Sequence, residues 1–179
     1  MTLPNKLSII RIFLVPVLVT VLLTRLSMPL ALAIFLLAAL TDWLDGYIAR
    51  RSKQTTTFGK LLDPIADKLL ISSALISLIE MGLAPAWIVV VIISREIAIT
   101  GLRSVAASQG LVIAASKLGK YKAVSEFLAI SFLIMDKSPY LMLDRFPVGR
   151  ILLWVAMIMA IISGIEYVIE FNKNVTMTI

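Results

Sequence analysis

Six long apolar stretches follow one another along this 179-residue chain and limit what it can fold into. Hydrophobic residues make up 60% of the sequence and the mean hydropathy is +0.99, which is typical of an integral membrane protein. A helix needs about 20 apolar residues to cross a bilayer. We therefore predict a single all-α integral membrane domain over residues 1–179. Its six transmembrane helices are expected at about Ile9–Leu23, Pro29–Asp45, Leu62–Ile79, Pro85–Gly101, Lys120–Met135 and Val148–Glu166.

The two ends and the charges complete this picture. The opening TLPNKLS is polar and contains proline, and we expect it to form a short interfacial segment on the membrane surface. Lys and Arg at or beyond the span ends number eleven on the face with both termini and four on the other. Because cytoplasmic loops carry the excess of Lys and Arg, we predict that both termini are cytoplasmic.

Composition excludes several kinds of chemistry. The chain has no cysteine and no histidine, so thiol catalysis and a histidine base are both ruled out. Any acid–base catalysis must therefore use carboxylates, Lys, Tyr or water. The net charge is +6, but the basic residues flank apolar segments rather than forming a long basic run. Nucleic acid is therefore not an expected partner.

Four aspartates gather where the second predicted span ends and the third begins. They are Asp42 and Asp45, three residues apart, and Asp63 and Asp67, four apart, so each pair shares one helical face. Four carboxylates in a low-dielectric setting would repel one another, and divalent cations relieve this. Oxygen ligands without His or Cys favour Mg²⁺, Mn²⁺ or Ca²⁺ over zinc. The predicted topology places this site at the cytoplasmic surface.

Each residue also has a structural interpretation. Asp63 precedes Pro64, and this pair suits a helix N-cap followed by proline at the first helical position. Asp67 and Lys68 can form a local ion pair. Gly46 and Ala49 have small side chains, which leave room on one helical face either for a ligand or for the close packing of another helix. Arg50 can bind a phosphate oxygen, or it can anchor the helix end at the cytoplasmic surface.

The spacing of these residues resembles a known signature. The pattern D-x-x-D-G-x-x-A-R, eight residues, then G-x-x-x-D-x-x-x-D is met in full over residues 42–67. It is similar to that of the CDP-alcohol phosphotransferases, six-helix membrane enzymes that transfer a phosphatidyl or related group from a CDP-linked donor to an alcohol. The resemblance implies two divalent cations, Mg²⁺ or Mn²⁺, held by Asp42, Asp45, Asp63 and Asp67. It also implies that Asp67 is the catalytic base, and that the donor CDP is bound by Asp45, Gly46, Ala49, Arg50 and Gly59.

The second half of the chain offers cations in place of acids. They are Arg95, Arg103, Lys117, Lys120 and Lys122. These residues could form a phosphate pocket for an anionic acceptor. Alternatively, Arg95 forms a buried ion pair with Glu96 and the lysines only anchor the chain at the cytoplasmic surface. The segment from Ser94 to Lys122 resembles that of the phosphatidylglycerophosphate synthases, the family members that use glycerol 3-phosphate. This chain departs from many relatives at Ala123 and Glu126, where they have Thr and Gln.

We therefore expect a metal-dependent phosphatidyltransferase of phospholipid biosynthesis, in a bacterial-type plasma membrane, that joins CDP-diacylglycerol and glycerol 3-phosphate. The family resemblance also implies a homodimer. Other acceptors, such as inositol phosphate, serine or phosphatidylglycerol, remain open within the family. A divalent-cation transporter is an alternative of a different class, but its acids would be expected near the midplane rather than crowded at one end.

Overall fold

A computed structural model describes the backbone of residues 3–52, 57–108, 117–136 and 148–176, and the side chains of residues 7–41, 64–108, 118–136 and 148–173. These parts of the chain contain six helices and no strand, which confirms the prediction of an all-α protein. The helices are α1 (Leu3–Leu23), α2 (Met28–Ser52), α3 (Thr57–Glu80), α4 (Ala86–Ser108), α5 (Lys117–Met135) and α6 (Val148–Thr176).

Each helix corresponds to one predicted span, but most of them are longer than predicted. α2 continues past Asp45 to Ser52, and α4 continues past Gly101 to Ser108. The apolar pattern stops where the side chains become polar, whereas the backbone hydrogen bonds of a helix continue through polar residues. The opening segment is likewise helical and continuous with α1 from Leu3, and its position at the membrane surface stays a prediction. Pro4 fits there because the first turn needs no backbone donor.

Two turns between helices have well-defined geometry. After α3, the amide of Leu83 donates to the carbonyl of Leu78 (2.9 Å) and the amide of Gly82 donates to that of Ile79 (2.8 Å). This is a Schellman motif, and it needs a residue with positive φ, which Gly82 supplies at +73°. Before α2, Ser27 Oγ accepts a hydrogen bond from the amide of Leu30 (3.3 Å) and caps the helix. Both turns are short, so neighbouring helices run antiparallel.

The helices pack as two consecutive groups of three. In the first half α1 packs against both α2 and α3, and in the second half α6 packs against both α4 and α5. Contacts of α2 with α5, and of α3 with α4 and α5, join the halves. The shared core includes the stacked rings of Phe35 and Phe127, whose centroids lie 5.4 Å apart. Phe127 is partly buried, whereas Phe35 is fully buried, as are Leu18, Leu22, Leu75, Leu78, Ile88, Ile92, Ile130 and Ile134.

The outer surface of the bundle is strongly apolar. Within the described residues, Val148–Lys173 is the segment long and apolar enough to cross a membrane, with 26 residues and a mean hydropathy of 2.2. Leu7–Leu23 and Met28–Thr41 are shorter apolar helical segments. α6 exposes large apolar side chains, among them Trp154, Ile158 and Ile165. Such a surface fits a lipid environment, while the crossing of the membrane by all six helices stays a prediction.

Candidate active site

The acidic signature lies on two helices that pack against each other. The positions of Asp42 and Asp45 fall within α2, and those of Asp63 and Asp67 fall within α3. Asp42 directly follows the apolar segment Met28–Thr41. The side chains of Asp42, Asp45 and Asp63 lie outside the described residues, as do those of the donor residues Gly46, Ala49, Arg50 and Gly59. Among the side chains that are described, there is no group of three acids placed to hold a metal.

The start of α3 decides one alternative for Asp63. The helix begins at Thr57 and runs without interruption through Pro64 to Glu80. Asp63 therefore lies inside the helix, beyond its first turn, and it is not the N-cap. Continuous helix on both sides keeps the four-residue spacing of Asp63 and Asp67 on one helical face.

Asp67 lines a cavity of about 700 Å³ at the junction of the two halves. Four helices supply its walls: α2 and α3 from the first half, α4 and α5 from the second. Most of the wall is apolar, and the charged lining side chains are Asp67, Lys68, Glu96, Lys122 and Glu126. A carboxylate of the acidic signature and a cation of the predicted acceptor group thus open onto the same space.

Lys122 is held in that wall by two carboxylates. Its Nζ lies 2.6 Å from Glu96 Oε1 on α4 and 2.6 Å from Glu126 Oε1 on α5. The Lys122 side chain is only 3% exposed. An ammonium group this deeply buried requires nearby negative charge, which the two glutamates supply.

Arg95 extends the same network toward α6. Its Nη1 donates to Glu96 Oε1 at 2.5 Å, the oxygen that also contacts Lys122. Its Nη2 donates to Ser163 Oγ at 2.9 Å. Gly164 leaves room for this side chain, because a Cβ there would lie 3.3 Å from Arg95 Cγ. Arg95 itself lines a groove between α4 and α6 with Ile161 and Gly164.

The other predicted acceptor cations lie elsewhere. Arg103 is exposed, and its guanidinium lies 5.6 Å from the ring centroid of Tyr167, a cation–π contact between α4 and α6. Lys120 is exposed on α5. The side chain of Lys117, the first residue of α5, lies outside the described residues. The structure therefore joins Arg95 and Lys122 through Glu96, and it places Arg103 about two turns further along α4.

Some features of the structure were not predicted from the sequence. Glu96 was considered only as a partner of Arg95, and the pairing of Glu126 with Lys122 was not considered, although four residues separate the two on one helix.

A second difference lies outside the cavity. Arg11 is one of the eleven basic residues counted on the cytoplasmic face, yet its side chain is fully buried. It shares a buried helical face with Ser8, Val15 and Leu18, and this spacing is the sequence pattern that could have indicated its burial.

Comparison with known proteins agrees with the signature. The family model described as CDP-alcohol phosphatidyltransferase matches residues 1–162. A protein of Bacillus subtilis (strain 168) named CDP-diacylglycerol–glycerol-3-phosphate 3-phosphatidyltransferase is 46% identical, covering 96% of this chain and 94% of the relative. One of the same name from Rickettsia felis is 38% identical, covering 92% of each chain.

A further relative, from Mycobacterium tuberculosis, is named probable phosphatidylglycerophosphate synthase. It is 36% identical, covering 97% of this chain and 83% of the relative. The helical bundle, the acidic signature on α2 and α3 and these matches identify the class. The chain belongs to the CDP-alcohol phosphatidyltransferase family.

Proposed function

We propose that this protein transfers the phosphatidyl group of CDP-diacylglycerol to glycerol 3-phosphate, giving phosphatidylglycerol phosphate and CMP. The relatives that match over most of the chain are named for this reaction. The observation that carries the proposal is the shared cavity, which brings Asp67 from α3 and Lys122 from α5 to one space. The reaction requires a carboxylate that activates the acceptor hydroxyl and a cation that binds the acceptor phosphate, and Asp67 and Lys122 would supply these two groups.

The acidic residues of α2 and α3 would hold two divalent cations, Mg²⁺ or Mn²⁺. The donor set fits, because Asp42, Asp45, Asp63 and Asp67 supply only carboxylate oxygens and occupy two continuous helices in contact. When bound, the ions would neutralise the donor diphosphate and the charge that develops as CMP leaves. Gly46, Ala49, Arg50 and Gly59 would contact the CDP group, as the resemblance implies.

Asp67 would act as the general base. It would accept the proton of the acceptor hydroxyl while that oxygen forms a bond to the phosphorus of the phosphatidyl group. The bond from this phosphorus to the bridging oxygen of the diphosphate breaks, and CMP leaves. Asp67 suits this role because it lines the cavity that Lys122 also lines.

The acceptor phosphate would bind at the end of the cavity where the charged side chains of α4 and α5 lie. Lys122 lines that end, and Arg95 is linked to it through Glu96. Arg103, Lys117 and Lys120 would complete an electropositive approach from the cytoplasmic side. The exposed apolar surface of the bundle supports a location in a bacterial-type plasma membrane. The distribution of Lys and Arg supports cytoplasmic termini and a cytoplasmic site, and the family resemblance implies a homodimer.

The test is an acceptor panel with purified protein and labelled CDP-diacylglycerol. We expect glycerol 3-phosphate to release CMP and yield phosphatidylglycerol phosphate, and inositol phosphate, serine and phosphatidylglycerol to give little product. Turnover with another acceptor in place of glycerol 3-phosphate would refute the acceptor assignment. Uptake of divalent cations into proteoliposomes, abolished by Asp63→Asn, would instead support transport.

A further inference from the structure

Glu126 has no part in the proposed reaction, yet it is buried in the wall of the active-site cavity. Its side chain is 4% exposed, and its Oε1 lies 2.6 Å from Lys122 Nζ. It lines the same cavity as Asp67 and Glu96. A buried carboxylate beside the cation of a phosphate site is unfavourable for binding an anion, so its presence needs an explanation.

The charges of the cluster balance with Glu126 and do not balance without it. With all four groups in their ordinary ionised forms, Arg95 and Lys122 contribute two positive charges and Glu96 and Glu126 two negative charges, which sum to zero. Removing the charge of Glu126 would leave one net positive charge at the end of the cavity. In a buried site, a change of one charge alters the affinity for phosphate substantially.

The two carboxylates hold Lys122 in different ways. Glu96 Oε1 accepts a hydrogen bond from Arg95 as well as pairing with Lys122, so its position is fixed from two sides. Glu126 Oε1 also lies within ion-pair distance of Lys122, and among the described side chains no second cation pairs with it. Of the two, Glu126 is the one that an incoming phosphate oxygen can replace at Nζ while Lys122 keeps its contact with Glu96.

We propose that Glu126 competes with the acceptor phosphate for Lys122 and so sets the affinity of the site for its anionic acceptor. This inference rests on the proposed function in that the acceptor carries a phosphate. In the empty site Glu126 satisfies the buried ammonium group; in the occupied site the phosphate takes its place. Glutamine at this position would fill nearly the same volume without the competing charge.

The test is the steady-state kinetics of Glu126→Gln. We expect the KM for glycerol 3-phosphate to fall about fivefold, which corresponds to the loss of one poorly screened charge. The KM for CDP-diacylglycerol and kcat should change less than about twofold, because Glu126 contacts neither the donor nor the reacting atoms. Inorganic phosphate, as a competitive inhibitor, should bind more tightly by the same factor.

Two further variants separate charge from other effects. Glu126→Asp keeps the charge and shortens the side chain, and its KM for glycerol 3-phosphate should stay within about twofold of wild type. Glu80→Gln removes an exposed carboxylate at the end of α3 and should leave every constant unchanged. An unchanged or raised KM in Glu126→Gln, or an equal fall in all three variants, would overturn the inference.

Failure of the proposed function can be distinguished from failure of this inference. If the wild-type protein does not turn over glycerol 3-phosphate, the proposed function fails whatever the variants do. Calorimetric binding of inorganic phosphate then decides the inference alone. Tighter binding to Glu126→Gln than to wild type would support the competition, and equal binding would refute it.

Discussion

Arg95 and Ser163, 68 residues apart in the chain, are joined by a hydrogen bond of 2.9 Å from Arg95 Nη2 to Ser163 Oγ. Through Glu96 the same arginine is linked to Lys122. One polar chain therefore connects α4, α5 and α6 beside the cavity, where most neighbouring side chains are apolar. Because buried polar groups are costly to leave unpaired, this network fixes the position of Lys122 in the wall of the cavity.

Lys122 should be more costly to remove alone than together with Glu126. Lys122→Met leaves two carboxylates without their shared partner, and we expect a loss of about 3–5 kcal/mol in stability. Adding Glu126→Gln to it removes one of the orphaned charges and should recover a large part of that loss. Thermal unfolding in detergent would measure both, as a double-mutant cycle. Strictly additive effects would contradict the ion pair.

Asp67→Asn should abolish turnover while largely preserving donor binding. The amide cannot accept the acceptor proton, and removal of a general base typically costs about 10²–10⁴-fold in rate. CMP release and binding of CDP-diacylglycerol should be measured side by side, with Glu80→Gln as the matched control at the far end of α3. Turnover equal to wild type would exclude Asp67 as the base.

Chelation should silence the enzyme. With excess chelator the four aspartates would repel one another and the donor diphosphate, so CMP release should fall to background. Added Mg²⁺ or Mn²⁺ should restore it. Activity that persists in excess chelator would rule out the two-metal scheme.

Arg103→Ala should raise the KM for glycerol 3-phosphate more than that for CDP-diacylglycerol, because the lost cation belongs to the acceptor side. Arg103 also contacts Tyr167, so its role could instead be purely structural. In that case Arg103→Ala would lower the thermal stability and leave the ratio of the two KM values unchanged. Arg150→Ala, which removes an exposed cation at the start of α6, is the control. Equal effects on both substrates would place Arg103 outside the pocket.

Gly149→Ala should destabilise the junction of α5 and α6. A Cβ at Gly149 would lie 2.7 Å from the backbone nitrogen of Leu133, which cannot move independently of its helix. We expect a cost of about 1–3 kcal/mol. At Gly101 a Cβ meets nothing within 4 Å, so Gly101→Ala should be neutral or stabilising by up to ~1 kcal/mol. Unfolding midpoints that shift equally in both variants would contradict the close packing.

Helix number and order could be predicted because apolar stretches report burial or lipid contact directly. The ends were less predictable: α2 beyond Asp45 and α4 beyond Gly101 are helical without being apolar. The pairing of the aspartates on helical faces could be predicted from their spacing, because each pair lies within a single helix. Contacts between helices could not be predicted from the sequence, since a pair such as Glu96 and Lys122 depends on how α4 and α5 pack.

The division of the bundle into two consecutive halves bears on how the enzyme matures. The acidic signature belongs to α2 and α3, whereas Glu96 and Lys122 belong to α4 and α5, so the cavity between them lacks one wall until the second half of the chain is in place. During synthesis the N-terminal helices emerge first and carry an incomplete cavity. We therefore expect a nascent or truncated chain that ends after α3 to be inactive toward the acceptor, and catalysis to begin only when insertion is complete.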